Sequence, residues 1–203
     1  MEYTKFDILK IKTNNTLLLW KDVYGIAPNS TASKLDKAML VWQKELTDTL
    51  EIWIDKGLSM TDGELILAFA NLGAVVESWL KFFYCVYYDD YCKNPITYKD
   101  PKTGKDKMVE PEKAKFDKLK EFSRGKLWTD EKSKAYLWVD AVQHKRNAIH
   151  SFRYRDIGTS QGFLNDVDYL YDFVDSIISH LPPLEDYIET YPVGYKFIPS
   201  IFL

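Results

Sequence analysis

Cysteine is scarce in this chain of 203 residues, which has only Cys85 and Cys92. They stand seven positions apart in an apolar, helix-patterned run, about two turns apart on one face and too distant for a disulfide. Two buried free thiols are expected, as suits a reducing compartment. Neither cysteine has a metal-ligand pair spacing, and no acidic cluster or His/Cys set suggests a metal, so no metal and no cofactor is expected. An excess of charge is also lacking. The formal net charge is −3, which excludes a generic polyanion binder. Long hydrophobic runs are missing too. The longest mostly apolar stretch, Leu65 to Val76, falls short of the ~20 residues a membrane span needs, and Glu77 and Lys81 follow it. The opening residues Met-Glu-Tyr-Thr-Lys-Phe-Asp carry no signal-peptide pattern, and no internal repeat is present. A soluble cytoplasmic protein with no membrane partner is the expectation.

Large rings are plentiful. Aromatic residues make up 15% of the chain and hydrophobic residues 46%, enough for one domain with a ring-rich core and too much for a disordered chain. Charge is unevenly placed. Residues 124 to 155 carry eight Lys or Arg against three acids, whereas residues 156 to 203 carry eight acids against Lys196 alone. A locally basic segment suits an anionic ligand, or is simply a solvated helix face.

Periodicity predicts an all-α fold, a bundle of four to five main helices, with residues 1–203 forming a single domain. Residues 1–30 form an N-terminal extension. Within it, loose alternation over 5–20, split by Asn14-Asn15, leaves room for a short β-hairpin. The first long helix is expected from Ser33 to Lys56, with an inward stripe of Leu35, Ala38, Met39, Trp42, Leu46, Leu50 and Trp53, closed by Gly57. Thr61-Asp62 caps a second helix that continues to about Tyr88 and is apolar nearly all round, hence central or shared with another subunit. Glu77 in that helix pairs most simply with Lys81; alternatively it is a supporting group facing the motif described next. Residues 93–111 read as an exposed Lys-rich loop or hairpin. A short helix is expected over 112–122, a fourth from about Asp130 to Tyr154, and a fifth from Leu164 to Leu181, stopped by Pro182-Pro183. A short turn at 184–188 then leads into the tail.

The fourth predicted helix carries His144-Lys145-Arg146-Asn147-Ala148-Ile149-His150-Ser151-Phe152. On a helical wheel Trp138, Ala141, Val142, Ala148, Ile149 and Phe152 share an inward arc, and Arg146 and His150 lie together at its edge, about 40° apart. Lys145 falls inside the arc. His144 points away. A guanidinium matches phosphate oxygens with two parallel hydrogen bonds, and an imidazole can exchange a proton near neutral pH. Together they supply proton transfer and charge stabilisation for metal-free RNA cleavage, with Asn147 orienting the reacting groups. The same pair can equally well serve packing or bind acids of the fifth helix, such as Asp166, Asp168, Asp172 and Asp175.

Arg146, Asn147 and His150 on the fourth helix of an all-α domain resemble the signature of the HEPN superfamily, an Arg, then a polar residue, then a His. The resemblance covers roughly Ser33 to Leu181 by helix order. It implies a homodimer whose motif helices face each other across a basic cleft. It often implies a metal-independent endoribonuclease of a toxin–antitoxin, abortive-infection or CRISPR-linked type, with an antitoxin or defence-system partner. On that basis Arg146, Asn147 and His150 form the candidate catalytic set, and Arg124, Lys126, Arg153 and Arg155 are candidate nucleic-acid contacts. Three residues separate Arg146 from His150, where the family has four to six. The shorter spacing favours the alternative, a non-catalytic module that binds a nucleotide, RNA or a protein.

Overall fold

The computed structural model describes residues 3–183, which are mostly helical with one small antiparallel sheet. The expected turn at 184–188 and the tail lie outside the described residues.

Residues 5–20 form no hairpin. Lys5–Lys21 is a single helix, α1. Thr4 accepts a hydrogen bond from the Asp7 backbone N–H while the Asp7 carboxylate accepts from the Thr4 N–H, satisfying two otherwise orphaned donors. Leu9, Thr13, Thr16, Leu17 and Trp20 are its buried residues, so two threonines fill positions where sequence reading expects apolar side chains. Asn14 and Asn15 stay off the inner face and cost the helix little.

The expected first long helix is two helices, α2 (Asn29–Asp36) and α3 (Leu40–Lys56). The break at 37–39 resets the helical phase. Met39 and Trp42, expected inward, are exposed, and Leu40, Gln43 and Thr47 point in instead, while Leu50 is buried as expected. Gly57 ends α3 at φ +53°, a left-handed backbone that favours glycine.

Helix α4 (Asp62–Val86) is the axis of the fold. Thr61 and Glu64 form a reciprocal cap at its start. It buries Leu65, Ala68, Phe69, Leu72, Val75, Val76, Trp79 and Leu80, and it packs against α3 and against α7 and α8, introduced below. By length and composition alone α4 would suffice to cross a membrane, but more than half of its most apolar stretch is buried inside the fold. Asn71 uses its polarity inside the α3–α4 contact, donating to the Leu46 carbonyl at 2.8 Å and accepting from Trp53 Nε1 at 3.1 Å.

Tyr87 breaks the helical path, and α5 (Tyr88–Lys93) leads into the expected exposed segment. There β1 (Thr97–Lys99) pairs with β2 (Asp106–Met108), with Tyr98 opposite Lys107. Helix α6 (Phe116–Phe122) follows a single 3-10 turn at Pro111–Lys113, so the expected helix over 112–122 is shorter than its sequence pattern. Helix α7 (Lys134–Arg146) and helix α8 (Ser160–Ser179) complete the fold. The α8 stripe is close to expectation, with Val167, Leu170, Val174 and Ile177 buried. The cysteines are both free, but only Cys85 is buried; Cys92 is exposed. Burial pushes the Cys85 thiol up to about 12, which makes it a poor nucleophile.

Candidate functional site

Helix α7 ends twelve residues after Lys134, not at Tyr154. Ser133 caps its start by accepting from the Tyr136 N–H at 3.3 Å. Trp138, Val139 and Val142 are buried. His144, Lys145 and Arg146 fill its last turn, where positive charge complements the helix dipole. Asn147–Ile149 tightens into one 3-10 turn, and the backbone leaves helical geometry at His150, with φ −86° and ψ 68°. Arg146 and His150 therefore do not share a helical face, which corrects the wheel described above. Phe152 is also misplaced by the wheel: it is exposed, not inward.

Arg146 lies against α4. Its stem passes so close to Gly73 that a Cβ at that position would sit 2.4 Å from Arg146 Cγ and 2.6 Å from Cβ. Nη2 donates to Glu77 Oε2 at 2.9 Å, and Nη1 donates to Asn147 Oδ1 at 3.3 Å. The other Glu77 oxygen takes Lys81 Nζ at 2.8 Å. Glu77 thus makes both contacts weighed for it, one carboxylate held between two cations. Its side chain is 13% exposed and that of Arg146 34%, so the pair is shielded on the carboxylate side and open on the guanidinium side. Two of the five guanidinium N–H groups are used in these bonds, which leaves donors for a phosphate.

Lys145 explains its place in the apolar arc. Its ammonium stands 4.6 Å from the centroid of the Phe69 ring and binds Asp166 Oδ2 at 2.8 Å. The other Asp166 oxygen accepts from Trp138 Nε1 at 3.1 Å. An acid of α8 does take a base from the motif, but that base is Lys145; Arg146 goes to α4. The two neighbours pull the end of α7 in two directions and fix its rotation. His150 is exposed, and among the described residues its imidazole has no hydrogen-bond partner.

The four candidate nucleic-acid contacts fall into two groups. Arg124 and Lys126 line an open cleft of about 770 Å³ formed by the end of α6, the 123–132 connection and Asn94-Pro95 after α5. Arg124 is already paired with Glu121 at 3.2 Å and Glu131 at 3.3 Å. Lys126 donates to the Phe122 carbonyl at 2.7 Å and lies over that ring, and partial burial holds its ammonium below the usual lysine range. Arg153 and Arg155 follow His150 in the α7–α8 connection. Arg153 is exposed, while Arg155 is half-buried, its Nε lacking a partner among the described residues. Gly158, at φ +71°, turns this connection near the end of the Lys145 side chain, where a Cβ would meet Lys145 Cε at 3.7 Å. Arg153 and Arg155 thus stand in the connection that follows the Arg146 corner in sequence, and Arg124 and Lys126 line the cleft.

Gly73 carries no signal in the sequence, because its role depends on a contact across helices. Gly73→Ala should lower stability by about 1 kcal/mol. Overpacking against the inner stem of Arg146 costs about 1–3 kcal/mol, and better helix propensity returns up to about 1. Calorimetry should show Tm falling by about 2–4 °C. A raised Tm would mean that α4 and α7 part without cost.

Comparison with family models, curated proteins and solved structures gives no match to this chain.

Proposed function

We propose that the chain is a HEPN-like module that binds RNA or a nucleotide by holding a phosphate at the Arg146 corner. One observation carries this reading: the Arg146 guanidinium is fixed by the shielded Glu77 carboxylate, while the Arg146 side chain as a whole stays about one-third exposed. Such a clamp has little orientation to lose when an anion arrives, which favours binding. Asn147, bonded to the same guanidinium, steadies it. Arg153 and Arg155 add charge for the flanking backbone. A homodimer, an antitoxin or defence-system partner and a cytoplasmic location belong to the same proposal and rest on the resemblance.

A cleavage activity is the second reading, and the exposed imidazole of His150, without a hydrogen-bond partner among the described residues, favours it. His150 would take the ribose 2′-hydroxyl proton while Arg146 steadied the developing phosphate charge. Binding is the better-supported reading because α7 ends at Arg146 and His150 lies beyond it. The test separates them. Fluorescence anisotropy with labelled RNA should show Arg146→Ala losing at least about tenfold in affinity, the scale of a lost charge-assisted contact. RNA incubated with wild type in EDTA should stay intact. Cleavage abolished by His150→Ala, with Tm unchanged, would establish the nuclease reading. Equal affinity of wild type and Arg146→Ala would sink the phosphate clamp.

A further inference from the structure

The segment that joins the Arg146 corner to α8 exposes aromatic rings that no packing explains. Phe152 is 107% exposed and Tyr154 91%, the two most exposed large hydrophobic side chains among the described residues. Ile149, 48% exposed, adjoins them in sequence. Arginines alternate with the rings, as Phe152-Arg153-Tyr154-Arg155, and residues 141–155 contain no acid. The connection makes a local turn at its far end. The Asp156 carboxylate accepts from the Gly158 N–H at 2.8 Å, and Gly158 lies against Lys145. The rings thus lie in a short connection between Arg146 and that turn.

We propose that Phe152 and Tyr154 are a stacking platform for unpaired bases of single-stranded RNA, next to the phosphate held by Arg146. This rests on the binding function proposed above and names its substrate class. Every base offers a flat face to an exposed ring, and arginine between the rings meets the backbone phosphate. Bases within a duplex are already stacked on one another and cannot offer those faces. A free mononucleotide would use one ring and leave the second uncovered. Self-association through this patch fits less well. A two-fold contact places the same surface on both copies, so Arg153 and Arg155 would meet like charge, with Asp156 the one acid beside them.

The experiment compares wild type with the double variant Phe152→Ala/Tyr154→Ala, using a short labelled single-stranded RNA and the same sequence as a duplex. Both side chains are exposed, so the variant should keep the wild-type Tm. Single-strand affinity should fall at least about tenfold, on the scale of lost base–aromatic stacking, while duplex affinity changes little. Phe152→Tyr/Tyr154→Phe, which keeps both rings, should bind like wild type. An unchanged single-strand Kd, or an equal loss for single strand and duplex, would overturn the platform. So would a change of oligomeric state in sedimentation of the double variant, which would make the patch a contact between copies. Loss of binding in Arg146→Ala without loss in the double variant would remove the platform and leave the phosphate clamp standing. No RNA binding by wild type would remove both.

Discussion

Phe69→Ala will cost about 3–5 kcal/mol, the range for truncating a buried aromatic ring in a packed core. The ring is fully buried on α4, packs edge-to-face against Phe163 of α8 at 5.3 Å, and carries the Lys145 ammonium above it. Three layers therefore meet at one side chain: the central helix, the last helix, and the motif helix through its charge. Truncation opens a cavity, removes an aromatic pair and leaves Lys145 over empty space. For a chain of this length Tm should drop by roughly 6–20 °C. A loss below ~1 kcal/mol in denaturant unfolding would show that the α4–α8 contact collapses freely around the gap. A further consequence concerns function: the end of α7 should loosen, so phosphate affinity should weaken even though Phe69 is buried away from ligand.

Glu77→Gln will cost about 2 kcal/mol. Removing one member of a buried pair costs about 3–5 kcal/mol because the remaining charge stays uncompensated. Here that figure is reduced, since water reaches Arg146 and Lys81, whose side chains are 34% and 30% exposed. Two cations lose one anion together, so the loss should not be shared equally by single replacements of the cations. A double-mutant cycle of Glu77→Gln with Arg146→Met should show a coupling of at least about 0.5 kcal/mol, as expected for groups in direct contact. Additive losses would mean that the pair does not hold the corner, and that Gly73 packing alone positions Arg146.

The long, one-sided helices were legible in the sequence. Helix α4 announces itself by Thr61, Glu64 and a nearly continuous apolar surface, and α8 by a stripe at three and four with prolines beyond it. Helix α1 was not legible, because Thr13 and Thr16 stand at inner positions and blur the period. The break between α2 and α3 was missed because Leu35 and Leu40 are both buried while the intervening residues carry no Gly or Pro. At the site, residue types were readable and their placement was not. His144-Lys145-Arg146-Asn147 does read as a last helical turn, with bases at the C-terminus and an asparagine after them, and that signal argued for an end before His150. Extending the wheel through it produced a pairing the backbone does not make. The carboxylate that holds Arg146 lies 69 positions upstream, and no spacing rule reaches across that distance. Gly73 is in the same position: its value comes from what crosses it.

The claim that Arg146 holds a phosphate is tested most directly by the salt dependence of single-stranded RNA binding in wild type and Arg146→Gln. Each phosphate neutralised contributes about 0.7 to the slope of log K against log salt on a single strand. The account predicts a shallower line for the variant, by about one contact, with weaker binding at low salt and convergence as salt rises. Superimposed lines would contradict it, and would place Arg146 in the architecture of the α4–α7 contact alone.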